Sequence, residues 1–313
     1  MVLGEYSIPG LSGSAFSSRI PDVKETNFSS NLRRREFLQT SLLGATAFAA
    51  AGFSPAVNAA LVKPEGDPFR GLKVGVTTYT FHSFNLDEAL GMTKKAGVKY
   101  VSLKEVHLPL KSTKEERQAV HKKVEEAGLV LMGGGVIYLK NNEAEIQNAF
   151  EYCRDAGMAT MVCSPEPEAL DTVEKMAKQY DVRVAIHNHG PGDKRYPSPL
   201  DVLKMVKDRD SRMGVCIDVG HTVRIKQDPI AAIRQCAKRL YEFHMKDVTS
   251  ATADGKPTEV GKGIIDVVGV LKELLKMKFP GHVALEYEAN AKDPMPGVLD
   301  SYAYMRGILA TLG

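Results

Sequence analysis

Four short segments in the C-terminal half each end a β-like run with side chains able to bind a metal or move a proton: Ala185-Ile186-His187-Asn188-His189-Gly190, Cys216-Ile217-Asp218-Val219-Gly220-His221, Phe243-His244-Met245-Lys246-Asp247 and Leu285-Glu286-Tyr287-Glu288. They recur at roughly 25–40 residues, about the length of one strand-plus-helix unit. Imidazoles and carboxylates delivered from the ends of consecutive parallel strands converge on one point, and a mixed nitrogen–oxygen donor set at that point suits a divalent ion. Four of the eight histidines fall in these segments. His187 and His189 are two apart and so point to the same side of their strand. A strand-end histidine is often just a satisfied core residue, and Asp218-Val219-Gly220-His221 also reads as a helix-capping turn. Glu286 lies between apolar neighbours, where an unpaired carboxylate would be costly. A metal or a cationic partner would relieve it. Asp247 reads as a loop cap or a partner for a basic side chain.

The elements that would position these residues alternate almost without a break. Predicted strands cover Leu72–Phe81, Tyr100–Lys104, Leu129–Ile137, Ala159–Cys163, Val182–Ile186, Met213–Ile217, Tyr241–Met245 and His282–Tyr287. Predicted helices begin after Asn85 with Glu88 and after Ser112 with Glu115, in capping-box spacing. Others cover Glu143–Ala156, a stretch through Asp171 and Glu174 to about Tyr180, one opened by Ser198-Pro199, Pro229–Arg239, Val267–Met277 and Leu299–Leu312. Strict alternation implies a parallel sheet, because parallel neighbours need crossover helices. Eight strands favour a single α/β (β/α)8 TIM barrel over a doubly wound open sheet. Gly133-Gly134-Gly135-Val136 lacks the helix start of a dinucleotide fingerprint and reads as strand and loop.

Upstream, Asn31-Leu32-Arg33-Arg34-Arg35-Glu36-Phe37-Leu38-Gln39 has the twin-arginine export pattern, followed by an apolar Ser41–Phe53 run and small residues Val57-Asn58-Ala59 where a peptidase would cut. The expected organisation is a disordered leader and cleavable twin-arginine signal peptide over 1–59, handed to the export machinery, then a barrel domain over 60–313. The protein is expected in the periplasm or another extracytoplasmic space. An ordinary amphipathic helix or a membrane anchor is the competing reading of the leader. It carries five basic and four acidic residues, one unit of the chain's +3, so the remainder carries +2. So small an excess excludes nucleic acid as the expected partner. Four cysteines without CxxC spacing read as buried thiols.

Together with Val260-Gly261-Lys262-Gly263-Ile264-Ile265-Asp266, a Gly-x-Gly-x-x-Asp segment, the four strand-end motifs resemble the xylose isomerase-like barrel superfamily, and within it proteins labelled sugar phosphate isomerase/epimerase, over about residues 72–312. The resemblance implies one divalent ion (Mn2+, Mg2+, Co2+ or Zn2+) held by His187, Asp218, His244 and Glu286, with His221 touching substrate. The ketohexose epimerase branch has a glutamate where this chain has His187, which puts a straight two-carboxylate epimerisation in doubt. The expected chemistry is proton abstraction next to a carbonyl of a small carbohydrate, with Glu286 as base, Glu288 or His187 as partner, and His221 and Lys246 on hydroxyls or the developing oxyanion. His189, His107 and Tyr79 join His221 and Lys246 as expected substrate contacts, and Phe81, His82, Lys104, Glu105 and Glu166 lie near the presumed catalytic face. Isomerisation, epimerisation and β-elimination stay open. A metal-dependent phosphodiesterase and a non-catalytic sugar-binding barrel are the alternatives from other classes. Such barrels often pair, so a homo-oligomer is compatible with the chain.

Overall fold

The computed structural model describes residues 66–312. The leader and the twin-arginine segment lie outside the described residues. Eight parallel strands close into a barrel: β1 (Lys73–Thr77), β2 (Tyr100–Leu103), β3 (Val130–Leu139), β4 (Thr160–Pro165), β5 (Arg183–His187), β6 (Met213–Asp218), β7 (Leu240–Met245) and, after an antiparallel pair β8 (Asp247–Val248) and β9 (Pro257–Thr258), β10 (His282–Leu285). The order around the barrel is β1-β10-β7-β6-β5-β4-β3-β2, so chain neighbours are sheet neighbours and β10 closes onto β1. This closed ring excludes the open doubly wound sheet.

The strands form where β-branched and aromatic residues run together, and β4, β6 and β10 are buried along their whole length, as parallel strands packed on both faces are. Helix starts follow local capping. Asn85 and Glu88 form a reciprocal capping box, as do Thr113 and Glu116, one residue later than the predicted Ser112 and Glu115. The Ser198 hydroxyl accepts from the N–H groups of Leu200 and Asp201, with Pro199 at the first helical position. Two boundaries differ from expectation by four residues. The first strand stops at Thr77, not Phe81, because the Thr77 hydroxyl accepts from the Tyr79 N–H and opens a 3-10 turn over Thr78–Phe81. The last helix begins at Met295, four residues before Leu299.

Most apolar side chains fill the layer between barrel and helices, while Val136, Val162, Ala185 and Cys216 form a small separate cluster. The glycine run of β3 is needed for close strand approach: a Cβ on Gly135, at φ +138°, would fall on the Val162 carbonyl oxygen. The barrel interior also holds a buried polar triad. Glu242 Oε1 accepts from the Ser102 hydroxyl at 3.1 Å and lies 2.9 Å from His282 Nδ1. All four cysteines are free and buried, as the lack of CxxC spacing suggests.

Candidate active site

Strand register brings the expected residues to one end of the barrel. Asp218 is paired with His244 across β6 and β7, and His187 with Cys216 across β5 and β6. Leu285 pairs with Met245, which sets Glu286 beside Lys246 just past the ends of β10 and β7. One donor atom from each of His187, Asp218, His244 and Glu286 lies within 4.8 Å of the other three, and all four residues are buried. His187 Nε2 is 3.1 Å from His244 Nδ1 and 3.7 Å from Asp218 Oδ2, and His244 Nδ1 is 3.3 Å from Glu286 Oε2.

Asp218 resolves the choice between capping turn and site residue by doing both. Its Oδ1 accepts from the His221 N–H at 2.8 Å and caps the short helix Val219–Arg224, while the buried Oδ2 has no hydrogen-bond partner and faces the cluster. The Asn188 side chain locks this turn by accepting from the Asp218 N–H at 2.9 Å. A Cβ on neighbouring Gly220 would sit 2.9 Å from Lys246 Cδ, so a larger residue there would push the Lys246 side chain aside.

Lys246 reaches over the cluster, 2.8 Å from Glu288, 3.2 Å from Glu286 and 3.3 Å from Asp218. Burial works against its charge, but these three carboxylates outweigh burial and hold its pKa well above the ordinary lysine value. Burial would likewise raise the Glu286 carboxyl. Lys246 and His244 overcome that and hold it well below the usual range. His187 is held well below the ordinary histidine value by burial, then by His244 and His189, so it is a neutral imidazole. In His244 burial opposes protonation but Cys216 and Glu286 prevail, and the pKa lies well above normal.

This donor set fits a divalent ion on two counts. Two imidazoles and two carboxylates from four strands suit a cation that takes nitrogen and oxygen ligands. Once His244 gives up its proton to become a ligand, three carboxylates facing one lysine ammonium also leave two negative charges at the site, which one divalent ion would balance.

Above the cluster opens a cavity of about 300 Å³ lined by Tyr79, Lys104, Val136, Tyr138, His187, His189, His221, Lys246, Glu286 and Glu288. Tyr79, His189, His221 and Lys246 thus face the space where the sequence put substrate. His221 packs its ring 6.0 Å from His187 with Nε2 4.0 Å from Asp218 Oδ2, and burial lowers its pKa against the pull of Asp218. His107 is placed elsewhere. It is buried, its Nε2 donates to the Phe84 carbonyl at 3.1 Å, and it is not among the residues lining this cavity. Phe81 is core, His82 stacks on Tyr79, and Glu166 pairs with Arg195. Asp247 is a loop cap: its carboxylate accepts from the N–H groups of Val248, Gly261, Gly263 and Ile265, which ties the Gly-x-Gly-x-x-Asp loop to the end of β7.

Sequence reasoning missed Tyr138 and Val136. Tyr138 is 62% exposed, stacks on His189 at 5.7 Å and sets its hydroxyl 3.2 Å from His189 Nε2. His189 Nδ1 in turn lies 3.2 Å from an Asp193 carboxylate oxygen without the alignment of a hydrogen bond, so the hydrogen-bonded unit at the cavity is the His189–Tyr138 pair. An aromatic three residues past a glycine run inside a strand was the available signal. The bulge in the β3–β4 pairing between Gly134 and Ile137 made its direction unreadable.

The chain belongs to the xylose isomerase-like TIM barrel family, which matches over residues 90–308. It is similar to the rhizopine catabolism protein MocC of Rhizobium meliloti, 28% identical over 141 residues, 40% of this chain and 42% of that one. It is also similar to an inosose dehydratase of Clostridium beijerinckii, 22% identical over 152 residues, 44% of this chain and 49% of that one. The chain thus spans under half the length of these two relatives. Its fold is shared with the E. coli 3-keto-D-glucoside 4-epimerase YcjR, at 18% identity and a TM-score of 0.62, covering 75% of this chain and 99% of that one. Sugar epimerases and dehydratases both occur among proteins of this fold.

Proposed function

We infer that the protein is a divalent-metal-dependent sugar isomerase or epimerase that abstracts a proton next to a carbonyl of a non-phosphorylated sugar or keto-sugar. The observation that carries this reading is the convergence of donor atoms from His187, Asp218, His244 and Glu286 under a cavity walled by proton-transfer groups. Mn2+, Mg2+, Co2+ and Zn2+ all suit the donor set. A bound ion would polarise the substrate carbonyl and lower the cost of negative charge on its oxygen. Glu286, kept ionised, has a free lone pair for the proton on the neighbouring carbon. Lys246 and His221 face the oxygens on which charge develops, and Glu288 or neutral His187 serves as the second proton carrier. The cavity lining contains two lysines and no arginine, and Lys104 already donates to the Val136 carbonyl while Lys246 is held by three carboxylates. That environment suits a neutral polyol better than a phosphate ester. Export by the twin-arginine route to an extracytoplasmic space, with residues 1–59 as leader and 60–313 as barrel, completes the reading, because phosphorylated sugars are confined mainly to the cytoplasm.

A second reading is β-elimination by the same proton abstraction, with loss of a hydroxyl or glycosyl group. It is supported by the likeness to an inosose dehydratase and by the ammonium of Lys246 beside Glu286, which can protonate a departing oxygen. Metal quantification of the purified protein, combined with deuterium exchange from solvent into a panel of free and 3-oxidised sugars, tests both. Label at a single carbon without loss of water supports isomerisation or epimerisation, and label with dehydration supports elimination. A sugar that binds equally well to the Asp218→Ala variant, with no label taken up by any compound, would make the protein a binding barrel instead.

A further inference from the structure

Below the nitrogen–oxygen set lies a second group of donors that uses the same two imidazoles. Cys216 is two residues before Asp218 on β6 and so points to the same side, one layer deeper. It is beside His187 in the strand register, and its other neighbour, Glu242 on β7, is two residues before His244. One nitrogen of His187, one nitrogen of His244 and the Cys216 sulfur all lie within 4.8 Å of one another, and all three residues are buried. Each imidazole has a second buried nitrogen without a hydrogen-bond partner: Nδ1 of His187 and Nε2 of His244. The sulfur otherwise packs in an apolar cluster with Val136, Val162 and Ala185.

We propose that His187, Cys216 and His244 form a thiolate-containing site for soft or borderline divalent ions, exclusive with the Asp218–Glu286 oxygen set because each shared neutral imidazole has one lone pair to give to one ion. Two nitrogens and one sulfur are a donor set for Zn2+ or Cd2+, whereas Mg2+ and Mn2+ prefer carboxylate oxygen. Ligands on a tetrahedral ion with bonds of about 2.0–2.3 Å stand about 3.5 Å apart, so the three donors need to close by roughly an ångström. The thiol proton leaves to solvent as the sulfur–metal bond forms, and no oxidation state changes. A hard ion thus stays at the cavity floor, in reach of substrate, while a thiophilic ion is drawn down and away from Glu286. The site thereby discriminates between metals by depth.

The proposal rests on the metal-centre reading above, and the test separates the two. Purified protein stripped of metal is titrated with Cd2+ and, separately, with Mn2+. The expected result is one equivalent of Cd2+ with a thiolate-to-cadmium charge-transfer band in the ultraviolet difference spectrum, and displacement of Mn2+ one for one. In Cys216→Ala the band disappears and Cd2+ affinity falls by about tenfold or more, while Mn2+ affinity stays within about twofold. Cys163→Ala, which removes a buried thiol outside the donor set, keeps the band. Mn2+ binding together with Cd2+ binding that shows no band, or a band that survives Cys216→Ala, overturns this inference alone. Failure of both ions to bind overturns the metal centre as well.

Discussion

His187 Nε2 stands 3.1 Å from His244 Nδ1 inside the barrel, although the two residues are 57 positions apart in the chain. Two imidazoles this close, with two carboxylates beside them, are what a cation site demands and what a plain hydrophobic core would avoid.

Asp218→Asn separates the two duties of that side chain. Asparagine keeps an oxygen for the His221 N–H, so the helix cap and the stability of the metal-free protein should hold within about 0.5 kcal/mol. Loss of the charged Oδ2 should lower divalent-ion affinity by about 10- to 100-fold. Metal titration followed by a melt reads both. A variant that loses the fold along with the metal would refute the division.

Metal removal should destabilise the protein. An ion that binds only the folded state at 100 times its dissociation constant adds about 2.7 kcal/mol. Lys246→Met should deepen this dependence, because Asp218, Glu286 and Glu288 then face each other without the ammonium. Urea melts with chelator and with Mn2+ should show the larger gap in the variant. Equal gaps would mean that Lys246 does not balance these charges.

Tyr138→Phe should reduce kcat/KM by about tenfold with the fold intact, since it removes one hydroxyl from the cavity wall. His189→Phe should cost a similar factor, and the double variant little more, because the two act as one hydrogen-bonded pair. Fully additive losses would show that they act separately.

His107 supplies a pH prediction away from the site. Burial lowers its pKa, against the raising effect of the Phe84 and Phe81 carbonyls. The folded protein therefore holds it neutral while the unfolded chain takes a proton near pH 6.5. Its contribution is fully present above that pH and is lost as the pH falls below it toward the folded-state value. Urea unfolding at pH 7.5 and 5.5 should show this loss, and His107→Gln, which keeps a donor for Phe84, should reduce it. An unchanged acid limb would sink the assignment.

At the buried triad, Glu242→Ala removes the acceptor of both Ser102 and His282. The expected cost is about 3–5 kcal/mol, seen as a lowered midpoint with metal affinity unchanged. A neutral result would show that the triad is dispensable.

Much of this was readable from local pattern. Strand runs, helix caps and free thiols follow from neighbours within a few positions, and the four strand-end motifs announced themselves because imidazoles and carboxylates are rare in otherwise apolar strands. The placement of Thr113 over Ser112, and of Thr77 at a strand end, slipped because hydroxyl caps compete over adjacent positions.

What the chain determined alone was which side chains sit at strand ends, since side-chain direction alternates with a period of two along any strand. Only closure of the barrel decided their meeting. The stagger between neighbouring strands put Asp218 level with His244 and His187 level with Cys216, turned Tyr138 into the cavity and left His107 outside it. That stagger is a property of eight strands hydrogen-bonded in a ring, and no single segment encodes it.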